Sequence, residues 1–228
     1  MRMAAGIAAL AFSLGTAAAA GGPEGGPPLV VTETGREAGR AWVVFNRTVR
    51  VDDLRVGLEG GHPAVRWPEY SSARTKRIYP QITFASPTAR RRIEAAVLQG
   101  APEFGDSPGR AAGRSPSDIP PLETRVTRVQ KLGGHGESST SGRPAMAGRH
   151  ARAANVDLTL NGAVTVVCGV MRRPDGTFWV AWPAKREGDG AWVNQVTWLQ
   201  EEARAAAEAK VLARYHESVG AARPAARP

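Results

Sequence analysis

The sequence predicts an α+β protein of two similar small units, each a small antiparallel sheet followed by a C-terminal helix, and three observations carry that expectation. Two long blocks of the 228-residue chain match one another with one single-residue slip. Each block is a series of β-branched and apolar runs cut by turn signals. Each then closes with a segment whose apolar residues recur at helical spacing.

The repeat comes first because it organises the rest. Residues 41–71 align without a gap onto residues 156–186 at a constant offset of 115, which matches Asn46 with Asn161, Val49 with Val164, Val51 with Val166 and Gly61 with Gly176. In the same register Val65, Trp67 and Pro68 meet Val180, Trp182 and Pro183. After a slip of one residue, Gln81-Ile-Thr-Phe84 meets Gln195-Val-Thr-Trp198, and Ala89, Arg90, Glu94, Val97 and Leu98 meet Ala203, Arg204, Glu208, Val211 and Leu212. A match that runs through strands, turns and helix faces argues against convergence of two unrelated strand-rich pieces.

The elements follow in chain order. Residues 1–20 open Met-Arg-Met, continue through an apolar stretch from Ala4 to Leu14 and end in small residues before Gly21, the layout of a secretory signal peptide. The competing reading is a disordered alanine-rich start. The apolar stretch is too short to span a bilayer, and no later segment is expected to span one. Cleavage would make the protein exported, periplasmic or secreted; without cleavage it would be cytoplasmic. Residues 21–28 form a Gly/Pro spacer and residues 29–99 the first unit. In that unit residues 42–51 read as strand, residues 78–84 as a short strand, and Ser86-Pro87 as the start of a helix, with Ala89, Ile93, Ala96 and Val97 on its buried face. Residues 100–123 read as a linker, residues 124–217 as the second unit with a mobile insertion at 133–155, and residues 218–228 as a disordered tail. In the second unit Pro174-Asp175-Gly176 marks a hairpin turn, residues 192–198 a short strand, and Ala203, Ala207, Val211 and Tyr215 the buried stripe of a helix that starts near Glu201 and Glu202.

Composition bounds the chemistry. Lys and Arg number 30 against 21 Asp and Glu, a formal charge of +9, which points to nucleic acid or another polyanion as partner. Arginine in excess over lysine, with abundant alanine, fits a coding bias equally well. The one cysteine, Cys168, lies in an apolar run and reads as a buried structural thiol, so neither a disulfide nor a cysteine zinc site is expected within the chain. The four histidines stand apart without HExxH spacing, and no metal or other cofactor is expected. Asp52-Asp53 and Glu201-Glu202 are adjacent carboxylates whose side chains diverge, so they read as solvated or capping charges rather than as an acid–base pair. No serine sits in a Gly-x-Ser-x-Gly elbow, and catalysis is not expected.

The second unit resembles the SpoVG septation regulators of bacteria. Val126-Thr-Arg-Val-Gln-Lys-Leu132 is similar to that family's opening strand. Trp179-Val-Ala-Trp-Pro-Ala-Lys-Arg186 is similar to its Phe-Val-Ala-Met-Pro-Ser-Lys-Arg segment, and Ala207, Val211, Leu212, Tyr215 and His216 fit its last helix. In the first unit Asp53-Leu-Arg-Val56 resembles the family's His-Asp-Ile-Arg-Val segment, whereas Glu69-Tyr-Ser71 stands where the family has Lys-Arg. The family's Ala-His-Pro segment is absent from both units. The resemblance implies two SpoVG-like modules, paired as an intramolecular pseudo-dimer, in a non-catalytic DNA- and RNA-binding regulator of septation and sporulation.

On that reading the candidate nucleic-acid contacts are Arg74, Lys76 and Arg77; Arg90, Arg91 and Arg92; Arg172 and Arg173; and Lys185 and Arg186, the pair that matches the family's basic pair. Residues 156–217 nevertheless carry one more acidic than basic residue, and Trp67, Trp179, Trp182, Trp192 and Trp198 read as core. The alternative is an exported interaction module in which the same fold serves an envelope or extracellular partner.

Overall fold

The computed structural model describes residues 19–20, 27–37, 40–72, 75–100, 109–110, 118–132, 151–188 and 190–220. It is a mixed α+β structure of mostly antiparallel sheets with two helices. Most of the predicted signal segment, the 133–150 stretch and the 221–228 tail lie outside the described residues.

In the N-terminal half β2 (Leu29–Glu37), β3 (Arg40–Phe45) and β4 (Val49–Glu59) form a meander, with the two-residue β1 (Ala19–Ala20) and β9 (Gly109–Arg110) on β2. Sequence reading placed residues 29–37 in the first unit without recognising β2. The end of β4 turns back through β5 (His62–Arg66), the pair β6 (Glu69–Ser71) and β7 (Ile78–Pro80) follows, and β8 (Ile82–Phe84) leads into α1 (Pro87–Gly100). The C-terminal half runs in order through β10 (Thr124–Lys131), β11 (Ala151–Leu160), β12 (Val164–Arg172), β13 (Phe178–Ala181), β14 (Ala184–Arg186), β15 (Trp192–Asn194), β16 (Val196–Trp198) and α2 (Glu201–Gly220). β11 starts at Ala151, so the last residues of the predicted insertion are strand, and α2 takes the first three residues of the predicted tail.

Period-two burial fixes these strands. Ala154, Val156, Leu158 and Leu160 on β11 face the core together with Val164, Val166, Cys168 and Val170 on β12. Two-residue turns join the hairpins: Asn46-Arg47 and Asn161-Gly162 all have positive φ, and Thr48 N and Ala163 N donate back to Phe45 O and Leu160 O. The alternation on β4 runs Val49, Val51 and then Leu54, because Asp53 takes φ of 63° and shifts the pairing with β3 by one residue. Ser86 Oγ caps α1 by accepting from Ala89 N at 3.1 Å, and Ala89, Ile93 and Val97 are buried beneath it. On α2 the buried positions are Ala207, Val211 and Tyr215.

The stretches 78–84 and 192–198, each expected as one strand, are broken at Gln81 and Gln195, and the second pieces cross over. β8 pairs with β12, Phe84 opposite Val164 and Ile82 opposite Val166; β16 pairs with β4, Trp198 opposite Val49 and Val196 opposite Val51. The last short strand of each half therefore completes the sheet of the other. Asn46 and Asn161 tie the same region, with their amide nitrogens donating to Pro120 O (2.8 Å) and Pro28 O (3.0 Å). Among the described residues no helix is long and apolar enough to cross a membrane.

Candidate binding cleft

Two short hairpins, β6–β7 and β14–β15, pair outside the two larger sheets and carry the exposed tyrosine and tryptophan rings of the described residues. Tyr70 and Tyr79 face each other across the first, with centroids 6.4 Å apart, and Trp192 on the second is 71% exposed. Trp192 was expected in the core; among the described strands β15 pairs only with β14, and the ring stays largely exposed.

Between these hairpins, the end of β13 and the start of α2 lies a cleft of about 810 Å³. Trp179, Trp182, Trp192 and Trp198 line it, with Tyr70 from the other half. Trp182 is fixed from behind: its Nε1 donates to Glu208 Oε1 at 2.9 Å, Arg204 Nε donates to the same oxygen at 3.1 Å, and its ring lies 5.1 Å from Trp198. Trp198 Nε1 is buried with no hydrogen-bond partner. Three cations reach the cleft, Arg152, Arg173 and Arg204. Arg204 is occupied by Glu208 and Glu201. The Arg152 guanidinium lies over Gly169, where an added Cβ would come within 2.8 Å of its Nε. Burial pulls its pKa below the ordinary arginine value, yet a guanidinium remains charged at neutral pH. Polarisable rings beside cations with little anionic compensation make a site for a planar, anionic ligand.

A second, smaller cleft of about 560 Å³ adjoins it across Asn194 and Thr197, and an ionic cluster closes its floor. Asp53 Oδ1 accepts from Lys185 Nζ, Asp53 Oδ2 accepts from Gln195 Nε2 at 3.1 Å, and Arg40 Nε lies 3.5 Å from Oδ1. Arg40 also pairs with Glu187. Burial pushes the Asp53 pKa up, but the hydrogen bonds from Lys185 and Gln195 and the charges of Lys185 and Arg40 outweigh it and hold the carboxyl below the usual range. Asp53 is thus no solvated surface charge, as its place beside Asp52 suggested: its side chain is 9% exposed and ties the β14–β16 arm to the N-terminal half. No group of three or more His, Cys, Asp or Glu among the described residues could hold a metal ion.

The predicted basic residues disperse. Lys185 is consumed by Asp53, and exposed Arg186 donates through Nε to Gly190 O at 3.0 Å. Arg172 and Arg173 are exposed at the end of β12, and among the described members of the predicted set Arg173 alone lines the larger cleft. Arg90 pairs with Glu94 at 2.8 Å and sits 5.9 Å from the Phe84 ring, while Arg91 and Arg92 are exposed on α1. Lys76 and Arg77 are exposed before β7, and Arg74 lies outside the described residues. Sequence reading missed Arg152, assigned to the insertion, and Tyr70 and Arg204, which carry no motif. The signal that could have found the cleft was the crowding of tryptophan between 179 and 198, read instead as core.

No family model, no curated protein and no solved structure matches this chain.

Proposed function

We propose that the protein is a non-catalytic nucleic-acid-binding protein built of two SpoVG-like modules that pair within one chain as a pseudo-dimer, with regulation of septation or sporulation as the process the resemblance implies. The observation that carries the binding reading is the cleft in which Arg152 and Arg173 stand beside four tryptophans. The +9 charge draws a polyanion toward such a site, and Arg172, Arg186, Arg91 and Arg92 offer further phosphate contacts on exposed surface. Binding rather than catalysis is favoured because the nearest carboxylates, Glu208 and Asp53, are held by Trp182 and Lys185 and are not poised as bases. The reciprocal pairing of β8 with β12 and β16 with β4 favours the pseudo-dimer, since a self-complementary contact is what two copies of one module would make.

A second reading is an exported interaction module for an envelope or extracellular partner. The exposed Tyr70, Ile78, Tyr79 and Trp192 favour it, because apolar side chains grouped on projecting hairpins mark protein contacts. Fluorescence-anisotropy titration of the full chain with short duplex DNA and single-stranded RNA at two salt concentrations separates the two. Salt-sensitive binding that weakens in the Arg172→Ala/Arg173→Ala variant is the expected result. Absence of binding to either nucleic acid at low salt rejects the first reading.

A further inference from the structure

The two halves can be compared position by position, and what recurs separates from what does not. Trp67 donates to Glu94 Oε1 at 3.0 Å as Trp182 does to Glu208 Oε1, and Arg90 holds Glu94 as Arg204 holds Glu208. This Trp–Glu–Arg group bolts a helix to the end of a strand in both halves, and it belongs to the fold. Trp198 likewise has an aromatic counterpart in Phe84, whose ring lies 4.8 Å from Trp67, but three other cleft residues have none. In the repeat register Trp179 corresponds to Ala64, Arg173 to Leu58 and Trp192 to Ile78. One half has thus acquired two rings and a cation at positions where the other has small or aliphatic residues.

These three side chains cluster about one cleft, and Trp192 leaves most of its surface in water, where an apolar ring brings no stability to the folded chain. Unpaired bases offer flat π-faces to such rings, and their phosphates suit Arg173 and Arg152; in a duplex the faces are already stacked and only edges and phosphates are accessible. We propose that this cleft takes an unpaired stretch of nucleic acid, its bases stacking on Trp192 and Trp179 and its phosphates held by Arg173 and Arg152, and that it discriminates against duplex. The proposal rests on the nucleic-acid reading above and assigns that activity to the C-terminal half.

The test is a titration of the full chain with labelled oligothymidylate, with a duplex of the same length and with heparin, repeated for Trp192→Ala, Trp192→Phe and Arg173→Ala. Trp192 is exposed, so its variants are expected to keep the parent's circular dichroism and melting temperature. Oligothymidylate is expected to bind more tightly than duplex. Trp192→Ala should weaken that binding roughly 5- to 150-fold, the effect of one lost base stack, while Trp192→Phe retains most of it. Arg173→Ala should lower the slope of log affinity against log salt by about 0.7, one phosphate contact to a single strand. Equal affinity for duplex and single strand, or a Trp192→Ala variant within twofold of the parent, overturns the cleft assignment; salt-dependent binding of both nucleic acids would then still support the broader reading. Binding to heparin alone identifies an acidic glycan as ligand and rejects both, as does absence of binding to all three at low salt.

Discussion

Replacing Asp53 tests the ionic cluster that joins the halves, and the choice of replacement separates charge from backbone. Asp53 sits at φ of 63°, a left-handed conformation that Asn tolerates and Ala adopts at a cost of about 1–2 kcal/mol. Asp53→Asn therefore keeps shape and backbone and removes the charge that faces Lys185 and Arg40. A hydrogen bond to a charged group is worth about 1.5–3 kcal/mol, and orphaning one member of a fully buried pair costs about 3–5 kcal/mol. The Lys185 side chain keeps 24% of its surface and that of Arg40 44%, so water can solvate the cations left behind and the lower range applies. We expect Asp53→Asn to lose about 1.5–2.5 kcal/mol in urea or guanidinium unfolding with an unchanged m-value, and Asp53→Ala about 1 kcal/mol more. The pH dependence has a definite sign. The folded-state pKa of Asp53 lies below its unfolded value near 3.8, so its contribution is full above that value and fades as pH falls through the folded pKa. The gap between parent and Asp53→Asn should be constant from neutral pH to about 5 and close at lower pH. A variant within about 0.5 kcal/mol of the parent at pH 7, or a gap that persists undiminished to pH 2, would refute the reasoning.

Four further expectations follow from single sites. Gly35→Ala would place a Cβ 2.4 Å from Trp42 Cζ2, and that ring is backed by the Arg50 guanidinium at 4.5 Å, so a loss of about 1–3 kcal/mol is expected in thermal or chemical unfolding. Ser86→Ala removes the cap of α1 and should cost about 1 kcal/mol, against no change if Ala89 N finds another acceptor. Arg47 holds φ of 55° in the turn where the other half uses Gly162, and Arg47→Gly should raise the free energy of unfolding, measured in urea, by up to about 1 kcal/mol once the added freedom of the unfolded chain is subtracted. Cys168 is fully buried and burial pushes its thiol up to about 12, so a thiol-specific reagent at pH 8 should label it only after denaturant is added; labelling of the native protein would contradict the packing.

How much of this was legible depends on whether a residue's role is local. The cap at Ser86, the turn at Gly176 with φ of 87°, the α2 stripe at Ala207, Val211 and Tyr215, though not at half-buried Ala203, and the burial of Cys168 all follow from neighbours in sequence. Asp53 was misread because the rule that neighbouring strand residues diverge assumes regular strand, and the positive φ at Asp53 breaks it. Its partners Lys185 and Gln195 are more than a hundred residues away, with no local pattern to announce them. For the same reason Lys185 looked like a free cation. Of the tryptophans expected in the core, Trp67 is buried and Trp182 and Trp198 pack against that core, and the expectation fails at Trp192: a small sheet-and-helix unit needs large apolar side chains, and nothing in the sequence distinguishes half-buried Trp182, locked by Glu208, from Trp192, 71% exposed on its hairpin.

The two glutamines show how a repeat can be visible while the pairing it makes is not. Gln81-Ile-Thr-Phe84 and Gln195-Val-Thr-Trp198 match in sequence, but a strand of three residues carries no information about which edge it will join. The backbone resolves it. Gln81 N donates to Pro68 O in its own half at 3.0 Å while its carbonyl accepts from Val167 N in the other at 2.9 Å; Gln195 N donates to Pro183 O at 2.8 Å while its carbonyl accepts from Asp52 N at 2.9 Å. Each glutamine thus leaves its own half through one peptide group and enters the other through the next, and the side chains that follow, Ile82 and Val196, are buried in the one core that the two halves share. Neither sheet reaches its full width without the strand it borrows, so the apolar edges of β4 and β12 are covered only when both crossings are made. That mutual dependence couples the cleft to the whole fold: Tyr70 reaches it from the N-terminal half just ahead of one crossing, and Trp198 lies on the other.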